Sequence, residues 1–504
     1  MTTTTTGKRA LVEARLDAPA ADALVAFYEA PHLARELRQF DEYLRVDLAH
    51  TVMLAERKVL DPSTAGRILA VLREIRALGP QRFPVDARRG SFLLQVEDYL
   101  FSRIGEAIGG RMHTGRSRLD QGPTVRRMYK RGRLVHAMDG VLALQRVLLA
   151  LASRHAATVM PGYTCLQHAH PAVFGHYILS FADKLSDDFA RLRGAWERVN
   201  LSPLGAAGLS GTAWPIDRDR TAALLGFEGL VGNAKLAREA YYAAEVASAL
   251  SFVMSTLNDL ATDLHIWSSH EFGFIETADE FCGTSSIFPQ KKNPAGLEAV
   301  RFAAGEAVTW LASALATFRA EGTGDVVMRE VPLLDNAFDS TMGSLALMAA
   351  IMESVEVRVD RMAAAASSNW STATNLADEL VRQGRMSFRQ AHSVVARLVR
   401  DCLAAGIACA DVTGEMLARA GEDLGESGAY LPTEIVRDSL DPVRFVATRT
   451  SAGGTAPGEI DKLARLAQRN LREAGVWLDE RKRMLATADT TLEAAVDQWV
   501  AAAG

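Results

Sequence analysis

Four cysteines in 504 residues, Cys165, Cys282, Cys402 and Cys409, are too few and too scattered for a disulfide framework. They also lack metal-ligand spacing. The eleven histidines offer one close pair, His168 and His170, whose two-residue step does not share a helix face. No metal site and no cofactor is expected, and a reducing, cytoplasmic setting fits. No run of eighteen apolar residues occurs, so no membrane-crossing helix is expected. Excess basic charge is missing too. A formal net charge of −5 leaves no footprint for nucleic acid. The local run Arg126-Arg127-Met128-Tyr129-Lys130-Arg131 reads as the polar face of a helix or as anion-binding groups. Period-two strand patterns with hairpin turns are almost absent, as are internal repeats. The start, Met1 to Lys8, is a threonine run without a following apolar segment, which reads as a disordered tail rather than a signal peptide.

What is present is helix. Apolar residues make up 48% and charged residues 23%, a globular composition, and the length suits two or three domains. From Ala243 to His270, the residues Val246, Leu250, Val253, Leu257, Leu260, Leu264 and Trp267 alternate steps of four and three. That is an a/d seam of about 30 Å at the helical rise. Further long patterns run from Gln121 to about His155, Val173 to Asn200, Pro294 to Phe318, and Asn336 to Ser367. Breaks at 79–84, 109–111, 202–215 and 367–375 divide the chain into an N-terminal helical domain (1–112), a central long-helix bundle (113–368) and a small C-terminal domain of shorter helices (369–504).

Three polar loops sit at ends of these helices. His113-Thr114-Gly115-Arg116-Ser117-Arg118-Leu119-Asp120-Gln121 places hydroxyls and two arginines before a helix, where N–H groups and guanidinium forks bind anions. Gly162 to Pro171 offers Thr164, Cys165, Gln167, His168 and His170. Gly283-Thr284-Ser285-Ser286-Ile287-Phe288-Pro289-Gln290-Lys291-Lys292-Asn293-Pro294 joins hydroxyls, two cations and backbone N–H groups, which suits a carboxylate whose negative charge grows during reaction. Each alone is also what a surface turn looks like. An isolated histidine is more often structural, and a free cysteine is usually an inert small hydrophobe. Three such loops in one all-helical chain are harder to dismiss.

These loops carry a resemblance. GTSSIFPQKKNPAGLE resembles the GSS-x-MP-x-K-x-NP signature of the fumarase/aspartase superfamily. HTGRSRLDQ resembles the HTGRSRNDQ of its argininosuccinate lyase branch, and PGYTCLQHAHP resembles PGYTHLQ-x-AQP. SSHEFGFIE at 268–276 and RTSAGGTAP at 449–457 are also typical. The resemblance implies an all-α, three-domain fold with a central long-helix bundle. It further implies a homotetramer whose bundles form one helical core, with active sites shared between protomers. The chemistry implied is β-elimination from a succinyl-type substrate, giving fumarate and an amine, or the reverse addition. Carried over, Ser285 is the base, and Lys291 and Asn293 hold the carboxylate and its developing charge. Thr164, Ser117 and Arg118 hold carboxylates, with Thr114, Gln167, His168 and Ser286 as further substrate contacts. A serine base needs a positive, desolvated pocket, to which Lys291 and Lys292 contribute.

The chain departs from that pattern on one side of the reaction. The family's histidine after the threonine is Cys165, while its glutamate partner is kept as Glu298. Cys165, His168 or His170 supplies the acid, or the leaving group needs none. The asparagine of SRND is Leu119. The histidine of the family's ED-x-H stretch is missing: none occurs between His50 and His113, where the region reads Ser91-Phe92-Leu93-Leu94. The arginine-recognising segment YNKDLQEDK aligns with 327–335, so Val327, Pro332 and Asp335 replace its tyrosine, glutamine and second lysine. Three lost polar contacts to the arginine moiety, at about 1.5–3 kcal/mol each, disfavour arginine. The SDRD-type stretch is absent from Lys235 to Ala240. The expectation is a carbon–nitrogen lyase acting on an N-substituted aspartate other than argininosuccinate. The alternative is an inactive relative with a structural or binding role.

Overall fold

The computed structural model describes residues 18–318, 331–383 and 386–503. The threonine tail and Val327 to Glu330 lie outside them. The chain is all-α, and its strands form four two-stranded pairs. Five helices build the centre: Arg118–Arg154, Phe174–Val199, Tyr241–Trp267, Leu333–Ser354 and Pro457–Ala501. Arg118–Arg154 packs on Phe174–Val199, Leu333–Ser354 and Pro457–Ala501, and Tyr241–Trp267 packs on Phe174–Val199, Ala295–Ala307 and Leu333–Ser354.

The seam from Val246 to Trp267 is buried, but within this chain. It joins one hydrophobic cluster with Leu134 to Ala152, Ile178 to Val199 and Leu334 to Met352. The apolar surface left open beside it is a different one. Tyr241 and Phe252 on the seam helix, and Phe302, Val308, Leu311 and Leu315 nearby, are exposed. Arg118–Arg154 is long and apolar enough by composition to cross a membrane. However, 56% of its most apolar window is buried inside the protein, as in a bundle-core helix.

A second cluster gathers Phe40–Glu56, Pro62–Leu78 and Phe92–Ile104, together with Leu492 and Val496 from the last helix. A third spans Leu376 to Leu440. The C-terminal region after 369 is thus not one small unit of short helices. Pro457 starts a 45-residue helix after the Gly453-Gly454 turn, about 68 Å long at the helical rise. Its Ile460, Ala467, Trp477 and Leu478 join the central core, and its end joins the N-terminal one. A fixed φ and no donor suit proline to the first turn.

Two helices expected to be continuous are broken. Between Ala307 and Trp310 the ladder is diverted, because the Ser251 hydroxyl donates to the Ala307 carbonyl (2.7 Å) and the Thr309 hydroxyl to that of Glu306 (2.9 Å). After Ser354 the alternation Val355-Glu356-Val357-Arg358-Val359 forms a short strand, Glu356–Val357, paired with Ile275–Glu276, before helix Val359–Ser367.

Candidate active site

The arginine loop is fixed by residues far away in sequence. Ser117 is the N-cap of Arg118–Arg154 in a capping box with Asp120, whose carboxylate accepts from Ser117 N (2.8 Å) and from Ala207 N (2.7 Å). Burial pushes the Asp120 carboxyl up, and the backbone N–H groups hold it down. Asp47, fully buried on Phe40–Glu56, accepts from Arg116 and from the Gln121 amide, both at 2.6 Å. Burial raises the Asp47 carboxyl and the Arg116 guanidinium lowers it. His50 Nε2–H donates to the Thr114 carbonyl (2.9 Å), and His113 Nδ1 meets Glu97 Oε1 at 2.7 Å. Burial, with Arg116 close by, holds the His50 imidazole well below its usual range. The loop backbone is thereby immobilised from three helices. Thr114 and Ser117 stay half-buried, and Arg118 faces solvent.

Leu119 and Pro332 line one cavity of about 850 Å³ together with Ser117 and Arg118. The only Glu-Asp pair in the region of the missing histidine is Glu97-Asp98, and Leu100, where ED-x-H would place it, is fully buried.

The second loop is a β-hairpin, which the sequence did not suggest. Val159–Thr164 pairs antiparallel with Gln167–Val173, with a bulge beside Gly162. The two-residue turn is Cys165-Leu166, at φ +53° and +58°. Such turns favour Asn-Gly, because two side chains in the left-handed region are strained. Thr164, Cys165 and Gln167 are exposed at the tip. His168 lies edge-on to Tyr163 (5.1 Å between rings) and shares a 3.3 Å hydrogen bond with its hydroxyl. Desolvation lowers the His168 imidazole and pushes the Tyr163 phenol up to about 12. His170 faces the C-terminal unit, against Phe445 and 3.2 Å from the Thr374 hydroxyl. Of the two imidazoles, His168 is the one beside the hairpin tip.

The third loop begins and ends in a short pairing, Gly283 with Asn293 and Thr284 with Lys292. Ser285 Oγ accepts from Ile287 N (3.3 Å) and Phe288 N (3.0 Å), which folds the serine turn on itself. Ile287 and Phe288 are 75% and 52% exposed at its tip. Lys292 is neutralised at the base by Glu276 (3.0 Å) and Asp279 (2.6 Å). It therefore does not join Lys291, as expected, in making the serine pocket positive; Lys291 alone is left exposed without an ion pair among the described residues. Glu298 opens helix Ala295–Ala307 and meets His265 at 3.8 Å, not a residue of the hairpin. His265 carries no motif, so nothing in the sequence flagged it. The same holds for Asp47 and Glu97.

Among the described residues, the three loops line separate cavities. The arginine loop lines the 850 Å³ cavity. The hairpin lines two others, through Tyr163 and Leu166. The serine loop lines a fourth, with Glu276, Arg358 and Arg361. None of these cavities receives residues from two loops. Among the described residues, no group of three or more His, Cys, Asp or Glu is placed to hold a metal ion.

The family model described as Lyase matches residues 21–309, and that described as Argininosuccinate lyase C-terminal matches 370–447. Argininosuccinate lyase 1 of Shouchella clausii (strain KSM-K16) is 33% identical over 466 residues, covering 91% of this chain and 93% of its own. The argininosuccinate lyase of Laribacter hongkongensis (strain HLHK9) is 38% identical over 464 residues, covering 90% and 97%. Among solved structures, EDDS lyase in complex with formate superposes with a TM-score of 0.84 at 30% identity, covering 96% of this chain and 97% of that one. An EDDS lyase variant with bound fumarate gives the same values. The class II fumarase of Schistosoma mansoni, at 14% identity, 80% and 90% coverage and a TM-score of 0.63, shares the fold.

Proposed function

The chain belongs to the argininosuccinate lyase branch of the fumarase/aspartase superfamily and is a carbon–nitrogen lyase, and from that premise we propose that it forms fumarate from an N-substituted aspartate whose amine is not arginine. One observation carries this reading. Leu119, which replaces the family's asparagine substrate contact, and Pro332, which replaces a glutamine of the arginine-recognising segment, line the same cavity beside Ser117 and Arg118. Neither side chain offers an acceptor where the family has polar groups, at a cost of about 1–3 kcal/mol per lost partner. The EDDS lyase likeness supports it, since that protein's name is not that of an argininosuccinate lyase.

Ser285 takes the proton from the carbon beside one carboxylate. Lys291, Asn293 and Ser286 hold the negative charge that develops on that carboxylate. The carbon–nitrogen bond then breaks with its electron pair going to nitrogen, and the trans double bond of fumarate forms. Arg118, Ser117, Thr114, Thr164 and Gln167 hold the carboxylates. Cys165 or His168, with Glu298, stands on the side where nitrogen takes up its proton. Because each loop lines a cavity of its own, the complete site needs loops from several protomers. We place the protein as a homotetramer, with the exposed Phe252, Phe302 and Val308 at its contacts.

Fumarate absorbance, followed with a panel of amines, tests this. Consumption is expected with at least one amine other than arginine. Turnover of argininosuccinate at the rate of an ordinary family member would overturn it.

A further inference from the structure

The cavity beside the arginine loop has a chemical character that the family motifs do not account for. Four guanidinium groups line it, from Arg35, Arg118, Arg126 and Arg238, against the carboxylates of Glu29 and Glu36. Glu36 is already engaged by the Tyr43 hydroxyl (2.7 Å), Phe92 N (2.6 Å) and His32 (3.2 Å).

Two other buried arginines on helix Arg118–Arg154 are given partners, although Arg127 Nε, like that of Arg238, has no hydrogen bond. Arg127 donates to the Arg198 carbonyl (2.7 Å) and lies 4.0 Å over the Tyr242 ring. Arg131 donates to Asn200, Leu225 and Gly226. Arg126 and Arg238 receive no carboxylate among the described residues. Arg238 ends the turn Ala234–Arg238 against helix Arg118–Arg154. It is 9% exposed, and its Nε has no hydrogen-bond partner. Arg126 shares a helix face with Arg118 through Gly122, four residues from each. A Cβ at Gly122 would stand 3.1 Å from Arg126 Nη1, so the glycine leaves that guanidinium room along the cavity wall.

A buried, unpartnered guanidinium N–H is costly, and a carboxylate satisfies two such donors at once. We propose that the leaving amine is itself acidic, and that Arg126 and Arg238 bind a carboxylate it carries in addition to those of the succinyl group. This rests on the lyase reading above and narrows it to aminocarboxylates. A cationic diamine without a carboxylate meets like charge in the same place.

The test pairs each aminocarboxylate with the twin in which every carboxylate is amidated: β-alanine, glycine and aspartate against β-alaninamide, glycinamide and aspartic diamide, each added to fumarate and the full-length protein. The acids are expected to show KM values at least about tenfold below those of their amides, the effect of one charge-assisted contact. Arg238→Met is expected to collapse the acid-to-amide ratio while the KM for fumarate stays put. Arg126→Met, half-buried on the helix, does the same if Arg238→Met fails to fold. Equal use of acid and amide, or an unchanged ratio in both variants, overturns the inference. Calorimetric titration of aspartate, β-alanine and glycine into the fumarate-saturated protein separates the two ideas. Binding that Arg126→Met abolishes, without turnover, supports the acidic site and counts against the lyase reading. Turnover with neutral amines, and no binding of these three acids, does the reverse.

Discussion

The loop His113–Gln121 is held by its own chain from three helices, through Asp47, His50, Glu97 and the capping box of Ser117. The loop Gly283–Pro294 is held only by its short pairing, by ion pairs at its base and by hydrogen bonds within its own turn. Both carry signature residues, yet one is built in and the other is presented outward with Ile287 and Phe288 exposed. The difference teaches how the work of the site is divided. The buried loop spends its Arg116 and Gln121 on architecture and leaves Arg118 open, whereas the open loop leaves Lys291 exposed and, on the function proposed above, meets the rest of the site across a protein–protein contact.

The largest expected effect breaks the comparison on the side of chemistry. Ser285→Ala should lower kcat by about a hundredfold to ten-thousandfold, the usual weight of a general base. The melting temperature should move little, because the Ser285 hydroxyl bonds only within its turn. Loss of stability in step with activity would mean that the serine loop is structural after all.

Asp47→Ala probes the other loop and should do the opposite first. It strands a buried Arg116, which costs about 3–5 kcal/mol of folding stability. Denaturant titration reads this directly. A change below about 1 kcal/mol would remove the claim that the loop is charge-locked.

Acid should find the same loop. Folded His50 stays neutral well below the usual imidazole range, because it is buried with Arg116 close by, while the unfolded chain takes up a proton in that range. Below it the unfolded state binds more protons, so stability falls with acidification, by at most about 1.4 kcal/mol per pH unit from this group. Asp47, shifted upward, works in the other direction near the carboxylate range, where its stabilising protonation returns as the pH drops. The decline should therefore set in at about pH 6.5 and approach its full slope about one pH unit lower, and His50→Gln should flatten it. A slope that survives that substitution would assign it to another group.

The smallest effect concerns the hairpin between the two extremes. Leu166→Gly relieves a left-handed side chain and should stabilise by about 0.5–1 kcal/mol, with Cys165 left in place. Destabilisation would show that Leu166 packs in the assembled protein more than it strains in the chain.

Much of this was legible before any coordinates. The seam from Val246 to Trp267 gave its helix to within two residues at the start and three at the end (270 expected, 267 found), since apolar periodicity is local information. Loop chemistry was equally legible, because hydroxyls, arginines and a Gly-containing turn advertise themselves by composition. The hairpin at 159–173 was not, because its Cys165-Leu166 turn carries none of the residues that such turns prefer. The strand at Glu356–Val357 did show its alternation of valines with charges, but the longer helical pattern around it masked the signal.

The sequence by itself determined an all-helical bundle with three polar loops at helix ends, and a leaving-group side altered at Leu119, Cys165 and Pro332. Only the tertiary structure decided that Lys292 is spent on Glu276 and Asp279, and that Asp47 locks Arg116. It also decided that the last helix returns to span two cores, and that Arg126 and Arg238 face one cavity without a carboxylate partner among the described residues. The reason is that periodicity fixes which face of a helix is apolar within a few turns. Which charges meet across dozens or hundreds of residues depends on how those faces pack, and nothing in the local sequence records that.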